Sequence, residues 1–211
     1  MGSSAVMPAQ PQIALVTGAN RGMGLETARQ LAQRGIEVIL TARDRQKGEA
    51  AAAKLEAVGL EAHFHTLDVT DSQSIQAIAA YIHERFGRLD ILINNAGVLL
   101  ESSGPTEYES ARAMVACVER VRQSFEANTL GPYQLMQSLI PLMDGRGCIV
   151  NVSSGMGQLE AMGGGWPGYR ASKAALNALT RIFAAELADT QIKVNSVCPG
   201  WVRTDMGGAS A

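Results

Sequence analysis

Charge of either sign is too thinly spread in this chain to mark a nucleic-acid or membrane-surface partner: charged residues are 18% of the 211 and the net charge is −2. No apolar run approaches the roughly 20 residues that a bilayer-spanning helix needs, and no charged-then-apolar signal segment opens the chain. Three cysteines, Cys117, Cys148 and Cys198, are too few and too unevenly spaced for a disulfide framework. They are expected as buried free thiols in a reducing compartment, which makes the protein cytoplasmic. Three histidines offer no metal-ligand spacing: His63 and His65 flank Phe64 on a predicted strand and His83 lies on a predicted helix, so no metal is expected. Internal repeats and low-complexity tracts are missing too. What remains is 46% hydrophobic residues, enough for one sizeable core without the length for two. Residues 1–10 are expected to be a disordered leader, and 11–211 a single domain.

The hydrophobic pattern alternates between two periods. Short apolar runs predict strands near 13–17, 36–41, 61–67, 89–94, 147–152 and 192–197; helical spacing is read near 22–34, 45–57, 72–86, 111–143 and 168–188. Strands alternating with helices imply parallel strands joined by right-handed crossovers, hence a doubly wound α/β sheet of Rossmann type.

Chemistry-bearing residues collect where those strands end. Ile13–Thr17 runs straight into Gly18-Ala-Asn-Arg-Gly22-Met-Gly24 and then into a helix, the strand, glycine turn and helix order that cradles a phosphate. The spacing is G-x-x-x-G-x-G, not the G-x-G-x-x-G of the common dinucleotide fingerprint. The fourth strand closes on Asn94-Asn95-Ala96-Gly97 and the fifth on Asn151-Val-Ser153-Ser154. Pro199-Gly200 follows the sixth. In an open parallel sheet, ligands bind beyond the carboxyl ends of the strands, so these groups define one crevice. Tyr169 and Lys173 stand four apart in a helical segment and share a face. A tyrosine hydroxyl titrates near ~10 and works as a proton donor or acceptor at neutral pH only with help, which a nearby ammonium can supply.

Taken together, Thr17-Gly-x-x-x-Gly-x-Gly24, Asn94-Asn-Ala-Gly97, Ser154, Tyr169-x-x-x-Lys173 and Pro199-Gly200 resemble the ordered motif set of the short-chain dehydrogenase/reductase family. The match runs from Ile13 to about Met206. Within the family, Leu40-Thr-Ala-Arg43 and Cys198-Pro-Gly-Trp-Val-Arg-Thr-Asp-Met206 resemble the NADPH-dependent carbonyl reductases. The family usually continues with a further helix and strand after the Pro-Gly segment, so a chain stopping at Ala211 is expected to lack them and to expose the edge of its sixth strand.

The resemblance implies roles. Tyr169 protonates a carbonyl oxygen as hydride arrives from a nicotinamide, Ser154 polarises that carbonyl, Lys173 holds the nicotinamide ribose and lowers the pKa of Tyr169, and Asn128 holds a water. Ser153 competes with Ser154, but adjacent strand residues face opposite ways and the family pattern favours the second. The cofactor contacts it implies are Gly18, Asn20, Arg21, Gly22, Met23 and Gly24 in the turn, then Arg43, Asp68 and Val69, then Asn95, Ala96 and Gly97, then Tyr169, Lys173, Pro199, Gly200, Val202 and Thr204. At the end of the second strand, where NAD-using enzymes place a carboxylate, the chain has Ala42 and Arg43; with Arg21 these favour the 2′-phosphate of NADP(H). Asp44 would let NADH compete if the turn brought it inward. The expected function is an NADPH-dependent carbonyl reductase, with 3-oxoacyl thioester or hydroxysteroid chemistry, or a non-catalytic dinucleotide-binding regulator, as alternatives. Met156, Leu159, Met162 and Trp166, around the glycine-rich loop before Tyr169, either line an apolar substrate pocket or pack beneath that loop. Surplus apolar residues on 111–143 (Phe125, Leu130, Tyr133, Leu135, Met136) and on 168–187 (Leu176, Leu179, Ile182, Phe183) predict a homodimer or homotetramer through these helices, the pairing common in relatives without a large insertion before the tyrosine.

Overall fold

The computed structural model describes residues 11–101, Glu109 and 111–204; the expected leader 1–10 and Met206 lie outside the described residues. Six strands appear among them: β1 (Ile13–Val16), β2 (Glu37–Ala42), β3 (Ala62–Thr66), β4 (Ile91–Asn94), β5 (Arg146–Val152) and β6 (Gln191–Val197). They pair in parallel in the order β3-β2-β1-β4-β5-β6. The chain winds outward from β1 to one edge, then returns to start again at β4. The β1/β4 boundary is therefore the point where strand order reverses, and a crevice opens there beyond the carboxyl ends.

Because strand side chains alternate, each strand feeds two cores. Ile13 and Leu15 of β1, Ile39, Leu92, Ile149, Ile192 and Val194 face one layer. That layer is α3 (Ser72–Phe86), through Ile75, Ile78 and Ile82, and α5 (Gly131–Leu139), through Leu135, Met136 and Leu139. Val16, Val38, Leu40 and Ile93 face the other, covered by Ala28 of α1 (Gly22–Gln33) and by Ala51, Ala52 and Leu55 of α2 (Arg45–Glu56). Burying each such aliphatic side chain contributes ~1.5–3 kcal/mol. The second layer thins toward β5 and β6, where Val150 and Val152 are only partly buried and Val197 is 43% exposed. Two further α-helices among the described residues are α4 (Val118–Phe125) and α6 (Pro167–Glu186). Among the described residues no helix is long and apolar enough to cross a membrane.

The expected helix over 111–143 is a composite. Residues 111–117 are not helical: the buried Ala111 gives its carbonyl to the Trp166 N–H at 2.7 Å instead of to a helical turn, and the backbone is extended at Cys117. After α4 comes a π turn, Glu126–Leu130, in which the Gly131 N–H reaches back five residues to Glu126. The segment ends in a 3₁₀ turn, Ile140–Met143, with Pro141 in its first turn. The cysteines also depart from expectation. All three are free, but Cys117 and Cys198 are exposed and Cys148 is half-buried, because they sit at a helix start, beyond a strand end and on the thinly covered sheet face.

Candidate active site

Thr17, the last residue before the glycine turn, organises the floor of the crevice. Its hydroxyl accepts from the N–H groups of Asn95 (3.0 Å) and Ala96 (2.9 Å) and leans on the Ile93 carbonyl. Asn95 answers by donating its side-chain amide to the carbonyls of Thr17 (2.8 Å) and Gly18 (3.1 Å). The glycine turn and the β4 end are thereby locked together. Gly18 and Gly22 turn at φ +62° and +54°, a region costly for any residue with a Cβ. Gly24 meets a packing demand: a Cβ there would stand 2.5 Å from the Gly18 carbonyl and from the Asn95 amide.

Helix α1 opens onto this floor without a side-chain cap, whereas Asp44 caps α2 by accepting from Lys47 N–H and Asp71 caps α3 by accepting from Gln73 N–H. Uncapped N–H groups at a helix start and a glycine turn together fit a diphosphate. The crevice, of about 240 Å³, is lined by Gly18, Asn20, Arg21, Gly22, Met23 and Gly24, by Ala42 and Arg43, by Asp68 and Val69, by Asn95, Ala96 and Gly97, and by Thr204. Leu67, Thr70 and Val98, from loops, and Ala127, from the π turn, also line it; as ordinary apolar or hydroxyl residues they carry no signal in the sequence. Asp44 does not turn inward. Its carboxylate is engaged with the Lys47 N–H (3.1 Å) and ammonium (3.2 Å), while Arg43 beside it faces the crevice. Asp68 accepts from the Thr70 N–H and hydroxyl at 2.9 and 2.7 Å.

The other expected residues cluster at the adjoining end. Ser154, beyond β5, accepts from Met156 N–H at 3.1 Å, and its hydroxyl is near enough to the Tyr169 phenol to favour the phenolate. Ser153 points the other way: it is buried, with its hydroxyl 3.5 Å from the Lys173 carbonyl. Burial raises the Tyr169 phenol above its ordinary value, the nearby Ser154 hydroxyl works against that, and the neighbouring Cys198 adds to it. Lys173 is pushed down to about 8 by burial. The expectation that Lys173 lowers Tyr169 is not met, because its Nζ donates to the Val152 carbonyl at 2.7 Å and lies 5.8 Å from the phenol ring centroid. Cys198 Sγ accepts from the Gly155 N–H at 3.0 Å, at the mouth of this cluster.

Asn128 joins the two halves. It sits in the π turn, fully buried, and clamps the loop after β4: its Oδ1 accepts from Val98 N–H at 2.8 Å, and its Nδ2 donates to Val98 carbonyl at 2.9 Å and to the Ser172 hydroxyl at 3.0 Å. A Cβ on Gly97 would meet Asn128 Oδ1 at 3.1 Å and Lys173 Nζ at 3.4 Å. Both amide hydrogens of Asn128 are thereby taken by protein groups, and its Oδ1 accepts one bond. Pro199 and Gly200 are exposed beyond β6, and Val202 accepts from the Thr204 hydroxyl at 3.4 Å; none of the three lines the crevice. Leu159 and Met162 are 79% and 37% exposed, so these two do not pack beneath the loop, whereas Met156 and Trp166 are half-buried.

Comparisons with known proteins agree with this geometry. A family profile described as short chain dehydrogenase matches residues 12–211. Carbonyl reductase 1 (NADPH) of Sus scrofa is 32% identical over 249 residues, covering 97% of this chain and 83% of that protein. The (+)-neomenthol dehydrogenase of Arabidopsis thaliana is 33% identical over 252 residues, covering 93% and 84%. Among solved structures, an actinorhodin polyketide ketoreductase variant with NADPH superposes with a TM-score of 0.84 at 34% identity, over 93% of this chain and 73% of that one.

Proposed function

Since the chain belongs to the short-chain dehydrogenase family, whose members are nicotinamide-dinucleotide oxidoreductases, we propose that it is an NADPH-dependent carbonyl reductase with Tyr169 as proton donor. The observation that carries this reading is the glycine-turn crevice with Arg43 at its wall and Asp44 turned away to Lys47, beside the Ser154 and Tyr169 pair. When bound, the cofactor supplies hydride to the carbonyl carbon of a ketone or aldehyde. The glycine turn and the start of α1 would hold its diphosphate, and Arg43 with Arg21 its 2′-phosphate through charge-assisted bonds.

Ser154 would turn its hydroxyl from Tyr169 to the substrate oxygen and hold it as negative charge develops. Tyr169 would then give its proton to that oxygen. A phenol kept above its ordinary pKa by burial is protonated across neutral pH, the form a reductive step requires. Lys173, protonated below about pH 8, would bind the ribose and recharge the phenol through the buried polar layer beneath it. The same reading takes 11–211 as one catalytic domain, a cytoplasmic setting, and a homodimer or homotetramer.

The test is NADPH oxidation against a panel of ketones and aldehydes. Tyr169→Phe should lower kcat by ~10²–10⁴ with NADPH binding retained, and Arg43→Asp should invert the preference between NADPH and NADH. Residual turnover above a tenth of wild type in Tyr169→Phe would require another acid, and a wild type that prefers NADH would refute the Arg43 assignment.

A further inference from the structure

Helix α6, which carries Tyr169 and Lys173, begins without a local cap. Ser, Thr, Asp or Asn at the capping position normally accepts from one of the first N–H groups, but here that position is Trp166, at φ +50° and with no capping side chain. A bulky residue in this region is strained and persists only where its surroundings hold it. Pro167 brings no N–H, so Gly168 and Tyr169 carry the first donors of the helix. One carboxylate oxygen takes both. Glu101 Oε1 accepts from Gly168 N–H at 2.5 Å and from Tyr169 N–H at 3.1 Å.

Glu101 comes from the loop after β4, 68 positions before Tyr169, and is 1% exposed. Its second oxygen and the Ser124 hydroxyl of α4 are buried with no hydrogen-bond partner among the described residues. Space around the contact is tight. A Cβ on Gly168 would stand 2.6 Å from Glu101 Oε1, 2.8 Å from Val121 Cα and 3.2 Å from Ser124 Oγ. Burying a carboxylate is costly, and what offsets it is two N–H donors at the positive end of a helix. A serine or aspartate at position 166 could satisfy those donors locally. A remote carboxylate instead ties the start of the tyrosine helix to the loop of Asn95, Ala96 and Gly97, which Asn128 clamps at Val98.

We propose that Glu101 is a positioning residue for Tyr169, fixing the first turn of α6 against the β4 loop so that the phenol is held at Ser154. The proposal rests on the reading of Tyr169 as proton donor. It is tested by a double-variant comparison: Glu101→Ala, Tyr169→Phe and the pair, measured for kcat in NADPH-dependent carbonyl reduction and for NADPH Kd by fluorescence. Glu101→Ala should lower kcat at least fivefold with NADPH Kd within twofold of wild type. In the Tyr169→Phe background it should change kcat less than twofold, because a side chain that acts through the phenol has nothing left to act on.

A smaller fall in kcat, an equal fall in both backgrounds, or a rise in NADPH Kd beyond twofold would overturn the proposal. If Glu101→Ala does not fold, Glu101→Gln, which keeps an acceptor oxygen without the charge, carries the same comparison with at least a twofold fall expected and the same outcomes overturning it. Full activity in Tyr169→Phe removes the proton-donor reading and this proposal with it. An inactive Tyr169→Phe beside a fully active Glu101→Ala removes this proposal alone.

Discussion

Burying an ammonium costs more than most side chains can return, and Lys173 is buried with its Nζ bonded to one carbonyl, that of Val152. Its pKa is pushed down to about 8 by that burial, and the sign of the resulting pH dependence follows. Below pH 8 the folded and unfolded chains both keep the proton, so the full penalty is present. Between about pH 8 and the ordinary lysine value the folded chain sheds the proton and the unfolded chain holds it, so stability rises with pH, by at most about 1.4 kcal/mol per pH unit. Lys173→Met has no proton to shed. The stability of wild type relative to Lys173→Met, from urea unfolding at pH 7, 8, 9 and 10, should be flat to pH 8 and then move in favour of wild type. A gap independent of pH would mean that the lysine is not desolvated. Methionine also leaves the Val152 carbonyl without its donor, but that cost is the same at every pH and does not touch the slope.

The π turn between α4 and α5 brings Gly131 against the far wall of the crevice: a Cβ there would stand 2.5 Å from the Val69 carbonyl and 3.0 Å from Val69 Cβ. Alanine is the better helix former by about 1 kcal/mol, but overpacking against backbone that cannot give way costs ~1–3 kcal/mol, so the clash wins. Gly131→Ala should lower the free energy of unfolding by about 1 kcal/mol and weaken NADPH binding, measured by urea unfolding and fluorescence titration; a stabilised variant would mean that Val69 can give way. No pattern in 111–143 announces that turn, since a π insertion has no side-chain signature of its own and the eight residues of α4 are too few to fix a helical phase before it. By contrast, the six strands, their parallel arrangement and the polar residues at their ends were legible, because burial on both sheet faces leaves short apolar runs in β1, β2 and β4 and ligand chemistry forces glycine and amides to the tips. Glu101 is silent in the sequence for a related reason. Its partners lie 67 and 68 positions away, and nothing near it in the chain says that its carboxylate will be buried.

The apolar surface expected to drive assembly is smaller in the folded chain than in the sequence. Leu135, Met136 and Leu176 are consumed by the chain's own core, and Tyr133 packs edge-on against Phe183 at 5.8 Å between ring centroids. Leu130 and Ile182 remain, at 42% and 49% exposure, with half-buried Phe125 and Leu179 beside them. A 20-residue helix is about 30 Å long and, side by side with a shorter neighbour, presents a face about 20 Å wide. That is on the order of 600 Å² in projection, close to the ~800 Å² per partner that a standard interface buries. A two-fold contact through α5 and α6 would therefore sit at the low end of interface sizes, and its apolar chemistry would make it only weakly sensitive to salt. Light scattering at micromolar concentration should give at least twice the 22.3 kDa chain mass, in low and high salt alike. Ile182→Arg, which sets a charge in the middle of the face, should return the mass to that of one chain while leaving the melting temperature of the monomer fold in place. A wild type that scatters as a single 22.3 kDa species at every concentration would show that α6 serves only the sheet and that exposure at Leu130 and Ile182 is ordinary surface.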